Sequence, residues 1–238
     1  MVVLSLVLIS FSFFSYEYLL FSNDHNVVHA QVELSEEEII ELKNNLSLLG
    51  FGNFPKNPSA VYGSVTTGVV KEFQEFFRFS NTNGKVDTES LNKINELLNS
   101  VYRDGNSSEK IRQLKIDLTL LGFGNFPTNP SKTFGSVTKS VLIEFQEYYN
   151  LPPIGIADQT TLNKLQMKLT PPYQEGDRGL VIKEMKEDLT LLGFGNFPSN
   201  PSIYYGSVTK NVVKDFQHHF GLSEDGIAGP ETLNKIDD

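Results

Sequence analysis

The sequence predicts an all-α chain: three tandem copies of one small three-helix unit behind an N-terminal leader. Three observations predict it. The loop "LLGFGNFPxNPS" starts at Leu48, at Leu120 and again at Leu191, each time inside or just after a leucine-rich segment. Other landmarks keep the same period. Gly50, Gly122 and Gly193 lie 72 and 71 residues apart, as do Phe73-Gln74, Phe145-Gln146 and Phe216-Gln217, while Leu91-Asn92, Leu162-Asn163 and Leu233-Asn234 follow at 71 and 71. Such a fixed period marks a repeat architecture. Within each copy the apolar residues follow a helical period, with almost no strand-like alternation. Leu118–Tyr148 laid on Leu189–His219 without a gap gives 21 identities in 31 positions.

The first helix of each unit carries an apolar stripe at spacings of 3, 4 and 3. It is formed by Ile39, Leu42, Leu46 and Leu49, by Ile111, Leu114, Leu118 and Leu121, and by Ile182, Met185, Leu189 and Leu192. Ser35 with Glu38 three residues on is a capping box for the first of them. Each stripe stops at the Gly of "LGF". Glycine there takes the left-handed conformation, and the next Phe folds back on the last turn as in a Schellman cap. A second helix opens around "GSVT". Its expected inner face is Val69, Phe73 and Phe76 in the first copy, Val141, Phe145 and Tyr148 in the second, and Val212, Phe216 and His219 in the third. A short third helix is opened by Asp87, by Asp158, and by Gly229 with Pro230 at its first position. It buries Leu91 and Ile94, Leu162 and Leu165, or Leu233 and Ile236. The stretches Ser100–Ser108 and Leu169–Gly179 have linker composition. The division is therefore a leader over 1–30 and units over 31–102, 103–172 and 173–238.

Bulk composition excludes several functions. Over 238 residues the net charge is −9 and the pI about 5.0, which argues against nucleic acid and against polybasic membrane binding. Cysteine is absent, which removes disulfides, thiolate nucleophiles and Cys-ligated zinc. The leader is a different material. Val2 to Phe14 is unbroken apolar residues and Ser, and Val28 and Ala30 stand where a signal peptidase wants its −3 and −1 residues. This fits a secretory signal peptide cut near Ala30–Gln31, although no Lys or Arg precedes the apolar run. The alternative is an uncleaved anchor over Val2–Leu20, which would contain Glu17. Either form puts the remainder outside the cytoplasm, and after signal removal no membrane contact is expected.

No catalytic constellation stands out. "GFGNFP" begins like a dinucleotide fingerprint, but Pro replaces its third Gly and it follows a helix rather than a strand. There is no G-x-S-x-G and no H-E-x-x-H. Beyond the leader the only histidines are His218 and His219, which point about 100° apart on a helix and cannot share one metal. Glu36, Glu37 and Glu38 suit the positive end of a helix. Nothing builds the facing carboxyls of a glycosidase cleft. No enzyme activity, no metal and no cofactor are expected.

With these elements in place, "GDRGLVIKEMKEDLTLLGF" and "YGSVTKNVVKDFQHHFGLSEDGIAGPETLNKI" (Gly176 to Ile236) resemble the peptidoglycan-binding repeat of bacterial cell-wall hydrolases. That family is a three-helix module with a G-D-x-G opening, an L-x-x-L-G-(F/Y) end to helix one, an (F/Y)-G-x-x-T entry to helix two and a V-x-x-F-Q core. Three copies together cover the chain from about Gln31 to its end. Departures are a longer loop between helices one and two, Leu where many members place Trp, and a first copy without the G-D-x-G opening. The resemblance implies peptidoglycan as partner and a secreted, wall-associated place of work. Two alternatives stay open: the targeting region of a murein hydrolase whose amidase or glucosaminidase domain is missing, or a module that docks on such a hydrolase.

The repeated loop supplies the candidate ligand residues. In the first unit these are Asn53, Phe54, Asn57, Tyr62 and Thr66; in the second, Asn125, Phe126, Asn129, Phe134 and Thr138; in the third, Asn196, Phe197, Asn200, Tyr205 and Thr209. Asn amides both donate and accept hydrogen bonds, and flat aromatic faces suit the C–H face of an amino sugar. The competing reading makes each Phe a plug over a small core and each Asn-Pro pair a turn former. Gln74, Gln146 and Gln217 are expected to tie the loop backbone to helix two, and the threonines to satisfy first-turn amides. The units differ in charge: −4 in the first (six basic, ten acidic residues), +2 in the second (eight and six) and −5 in the third (six and eleven). In an anionic wall the middle unit meets the least repulsion.

Overall fold

A computed structural model describes residues 32–238, so the leader expected over 1–30 lies outside the described residues. Among the described residues nine helices follow in three sets of three: α1 (Glu36–Leu48), α2 (Ser64–Phe76) and α3 (Thr88–Asn99); α4 (Glu109–Leu120), α5 (Ser136–Tyr148) and α6 (Gln159–Leu169); α7 (Leu180–Leu191), α8 (Ser207–His219) and α9 (Pro230–Asp237). Among the described residues β-structure is limited to three isolated bridges. None of these helices is long and apolar enough to cross a membrane.

Local chemistry sets the helix ends. Ser35 and Glu38 close the capping box on α1, while Asp87, Ser108 and Asp158 cap α3, α4 and α6 through their side chains. α1 ends in a Schellman motif: the Phe51 amide donates to Leu46 O and the Gly50 amide to Ser47 O, with Gly50 at φ 89°. Phe123 on Leu118 and Phe194 on Leu189 repeat it. The Phe thus turned inward is the first packing contact of each core.

Each set encloses its own core. Leu46, Phe73 and Leu97 centre the first, Leu118, Phe134 and Phe145 the second, and Leu189, Tyr205 and Phe216 the third. Full burial of one such side chain contributes about 1.5–3 kcal/mol. The inner face of helix two is the expected one in part: Phe73, Phe145, Phe216 and Val212 are buried and Val69 and Val141 half-buried, but the last residue expected in each copy is not buried. Thr66, Val70, Phe73 and Gln74 are the buried residues of α2, and Thr138, Leu142, Phe145 and Gln146 those of α5. Phe76 is half-buried, Tyr148 is 42% exposed and His219 is exposed. In the first unit the ring of the inward Phe51 packs edge-on against both Phe73 and Phe76, so Phe76 borders the core without being enclosed by it.

The three glutamines are fully buried, but they tie a different loop from the one expected. Gln74 Nε2 donates to Lys85 O and its Oε1 accepts from the Gly84 amide; Gln146 and Gln217 do the same with Ile156 and Gly155 and with Ile227 and Gly226. They hold the turn between helices two and three. Their Nε2 also reaches Ser90, Thr161 or Thr232 at the start of helix three. A buried amide with every polar atom paired locks that turn.

The units also pack on one another. Ile154 and Ile156 of the second lie against the core of the first, where Lys93 bonds Asp158 at 3.0 Å and Arg78 clasps Asn150. Between the second and third, the Arg178 guanidinium sits 4.1 Å from the Phe123 ring centroid and donates to Gly122 O.

Candidate binding grooves

The thrice-written loop is held from below by a residue the sequence reading passed over. Lys43, Lys115 and Lys186 follow the apolar stripe of helix one by a single position and are buried, with 3%, 4% and 3% exposure. Lys115 Nζ donates to Ser131 O at 2.9 Å, Ser131 Oγ at 3.0 Å and Thr133 O at 2.8 Å. Lys43 makes the same three bonds to Ser59 and Val61, and Lys186 to Ser202 and Tyr204. The three protons of each ammonium are thereby used. Each also lies 5.6–5.7 Å from the centroid of the loop Phe: Phe54, Phe126 or Phe197. Burial pulls Lys115 and Lys186 below the usual lysine range. The available signal was the recurrence of Lys at this site in all three copies, against the ordinary preference for exposed lysine.

Two further ties fix the loop. Gly52, Gly124 and Gly195 have φ near 70°, and a Cβ on Gly52 would stand 2.8 Å from Val69 Cγ2. The hydroxyls of Tyr62 and Tyr205 donate to Gly84 O and Gly226 O, bridging the loop to the turn before helix three. Burial pushes the Tyr62 hydroxyl up to about 12, so it remains a donor throughout neutral pH.

The outcome is a groove between the loop and the first turn of helix two. In the third unit it has a volume of about 350 Å³ and is lined by Phe197, Pro198, Tyr204, Gly206 and Val208, with Lys186 below. The corresponding valines at the helix start, Val65, Val137 and Val208, are 70%, 67% and 66% exposed. The position of Tyr204 is Val61 in the first unit and Thr133 in the second.

The candidate residues divide into three groups. Asn53, Asn57, Asn125, Asn129, Asn196 and Asn200 are all exposed on the loop. Phe54, Phe126, Phe197 and Tyr62 are half-buried and present part of a ring. Thr66, Thr138, Thr209, Phe134 and Tyr205 are buried at 2% exposure or less, so they offer a ligand almost no surface, although Thr209 borders the groove of the third unit. They face inward because they lie on the side of helix two, or at the loop end, that covers the core. Tyr204, the neighbour of Tyr205, is the exposed ring at the rim.

A profile of the peptidoglycan binding domain matches residues 35–94, 107–165 and 178–236, well over half the chain and one match per helix set. The chain belongs to the peptidoglycan binding domain family. A 64-residue stretch of the chain is also similar to part of the zinc D-Ala-D-Ala carboxypeptidase of Streptomyces albus G, at 36% identity, covering 26% of this chain and 24% of that protein. The chain thus spans about a quarter of that relative's length. No solved structure matches.

Proposed function

We propose that this protein is a secreted, wall-associated peptidoglycan-binding protein that does no chemistry itself and grips through three weak grooves in series. One observation supports it above the rest: the same loop, tied down by the same buried lysine, is built three times on a peptidoglycan-binding scaffold, with a groove beside it in the third unit. Shallow grooves bind weakly, and three on one polymer raise the grip by avidity. Packing of the units on each other keeps the grooves in fixed relation, which lowers the ordering cost of joint engagement.

The test is co-sedimentation of the intact protein with purified sacculi. Binding is expected, and Phe126→Ala combined with Asn125→Ala weakens it with an unchanged circular-dichroism spectrum. The same pair of changes in the first or third unit weakens it less, because the middle unit carries the favourable charge. A protein left in the supernatant sinks the proposal. The carboxypeptidase relative favours a second reading, in which these units target a murein hydrolase, in the same chain or as a partner. Clearing of a wall-impregnated gel by the purified protein would support that reading and overturn the non-catalytic one.

A further inference from the structure

The groove of the third unit is edged by a ring that the other two units lack. Tyr204 lines it and is 47% exposed, and the same position is Val61 in the first unit and Thr133 in the second. The backbone around it is shared with the second unit. Arg178 forms an antiparallel bridge with Tyr204 as Ser107 does with Thr133. The Gly179 amide donates to Ile203 O and the Tyr205 amide to Asp177 O, and Ser108 with Lys132 and Phe134 with Asn106 repeat those two bonds. The buried lysine below donates to the carbonyl of this position in both units, Lys186 to Tyr204 O and Lys115 to Thr133 O. What differs is the pair of side chains carried there: Arg178 with Tyr204, against Ser107 with Thr133.

That pair is clamped from outside the unit. The Arg178 guanidinium lies 5.0 Å from the Tyr204 ring centroid and, on the second unit, 4.1 Å from that of Phe123 and 5.2 Å from that of Tyr148. It also donates to Gly122 O, and Arg178 is buried. Ile203, next to Tyr204, seats on the second unit as well: a Cβ on Gly122 would overlap Ile203 Cδ1. A ring nearly half open to solvent is thus held in place before any ligand arrives, which lowers the ordering cost of binding. Beside it the groove offers Phe197, Pro198 and Val208 as apolar wall and Ser202 and Ser207 as polar groups. A flat apolar wall with a few polar groups suits a ligand that has one apolar face and a polar edge. A pyranose is such a ligand, with C–H bonds over one face and hydroxyl and N-acetyl groups around its rim.

We infer that Tyr204 is the sugar-stacking residue of the third groove, and that Arg178 and Tyr148 are positioning residues through which the second unit controls it. The ligand is an N-acetylated pyranose of the glycan strand rather than the peptide stem. This rests on the proposal that the protein binds peptidoglycan, and it makes the three units unequal. Charge favours the middle unit on an intact anionic wall. The held ring gives the third unit the firmer grip on the uncharged sugar itself. Loosening the junction frees Tyr204, and by linkage a bound sugar tightens the junction.

Calorimetric titration of the full-length protein with an uncharged N-acetylglucosamine oligomer tests this. Tyr204→Val and Tyr204→Thr install the residues of the other two units and should weaken binding about fivefold, while Tyr204→Phe keeps it. Tyr148→Ala changes only the second unit and should weaken binding about threefold, the size of one exposed cation–ring contact. Tyr148→Phe, which keeps the ring, should retain the parent affinity. The chain has no tryptophan, so Tyr204→Trp places a single indole at the rim. Its emission should shift when the oligomer is added, and shift less once Tyr148→Ala is combined with it. Undiminished binding by Tyr204→Val, or an emission that ignores the oligomer, overturns the stacking role. Equal affinity of Tyr148→Ala and the parent overturns control by the second unit. If the protein sediments with sacculi but ignores the oligomer, the inference falls while peptidoglycan binding stands; if it ignores both, both fall.

Discussion

The two junctions between units are made from different materials although the units are copies. The first joins helix α3 and the end of α2 to the turn before α6. It is polar at its centre: Lys93 bridges Glu96 at 2.5 Å and Asp158 at 3.0 Å, and Ser100 Oγ donates to Ala157 O. The second joins the end of α4 to the opening of α7. It is centred on one guanidinium, with the rings of Phe123, Tyr148 and Tyr204 within 4.1, 5.2 and 5.0 Å of Arg178. The third unit has the Asp177-Arg178-Gly179 opening, and the second has Asn106-Ser107-Ser108 in its place. This junction too holds an ion pair, Lys168 to Asp177 at 2.5 Å, and Tyr148 donates to Gly176 O, but only here does an arginine stack on three rings. Because Arg178 also touches Tyr204, the second junction positions a rim residue of the third groove.

The largest effect is expected for Arg178→Ala. It removes three ring contacts and a charged hydrogen bond to Gly122 O, together about 3 kcal/mol of coupling. Scanning calorimetry should then resolve the third unit melting apart from the second. A single unchanged transition would show the junction to be held by something else.

Asp158→Ala tests the first junction and should cost about 2 kcal/mol, split between the α6 cap and the lost partner of Lys93. Urea unfolding measures it. Asp158→Asn, which keeps a cap, should lose less. Equal losses would mean that the ion pair across the junction contributes nothing.

Acidification gives the smallest and most selective effect. Burial pushes the Asp158 carboxyl up, but the Thr161 hydroxyl and amide and the Lys93 ammonium outweigh it and hold the carboxyl below its ordinary 3.8. Burial alone would lower Lys93, but Glu96 and Asp158 raise it overall, so it keeps its charge through this range. A depressed carboxyl stabilises the fold above its unfolded value, and that part is lost as pH falls through the lower folded value. Wild-type protein should therefore lose more stability than Asp158→Asn when pH drops below 3.8. Parallel curves for the two proteins would refute the assignment.

The sequence by itself determined the number of units, the three helices of each, their caps at Ser35, Asp87 and Asp158, and the Gly stops. These rest on interactions three to five residues apart, or on a period repeated in plain view. The tertiary structure alone decided that Lys43 reaches Ser59 and Val61, 16 and 18 residues away, and that Thr66, Phe134 and Tyr205 turn inward. It also decided that Gln74 holds the later turn, and that the units dock at all. A half-buried helix edge looks the same in sequence whether its neighbour is solvent, a loop or another unit. Packing of Phe73 and Phe76 on the inward Phe51, far off in sequence, then settles which side of α2 is covered.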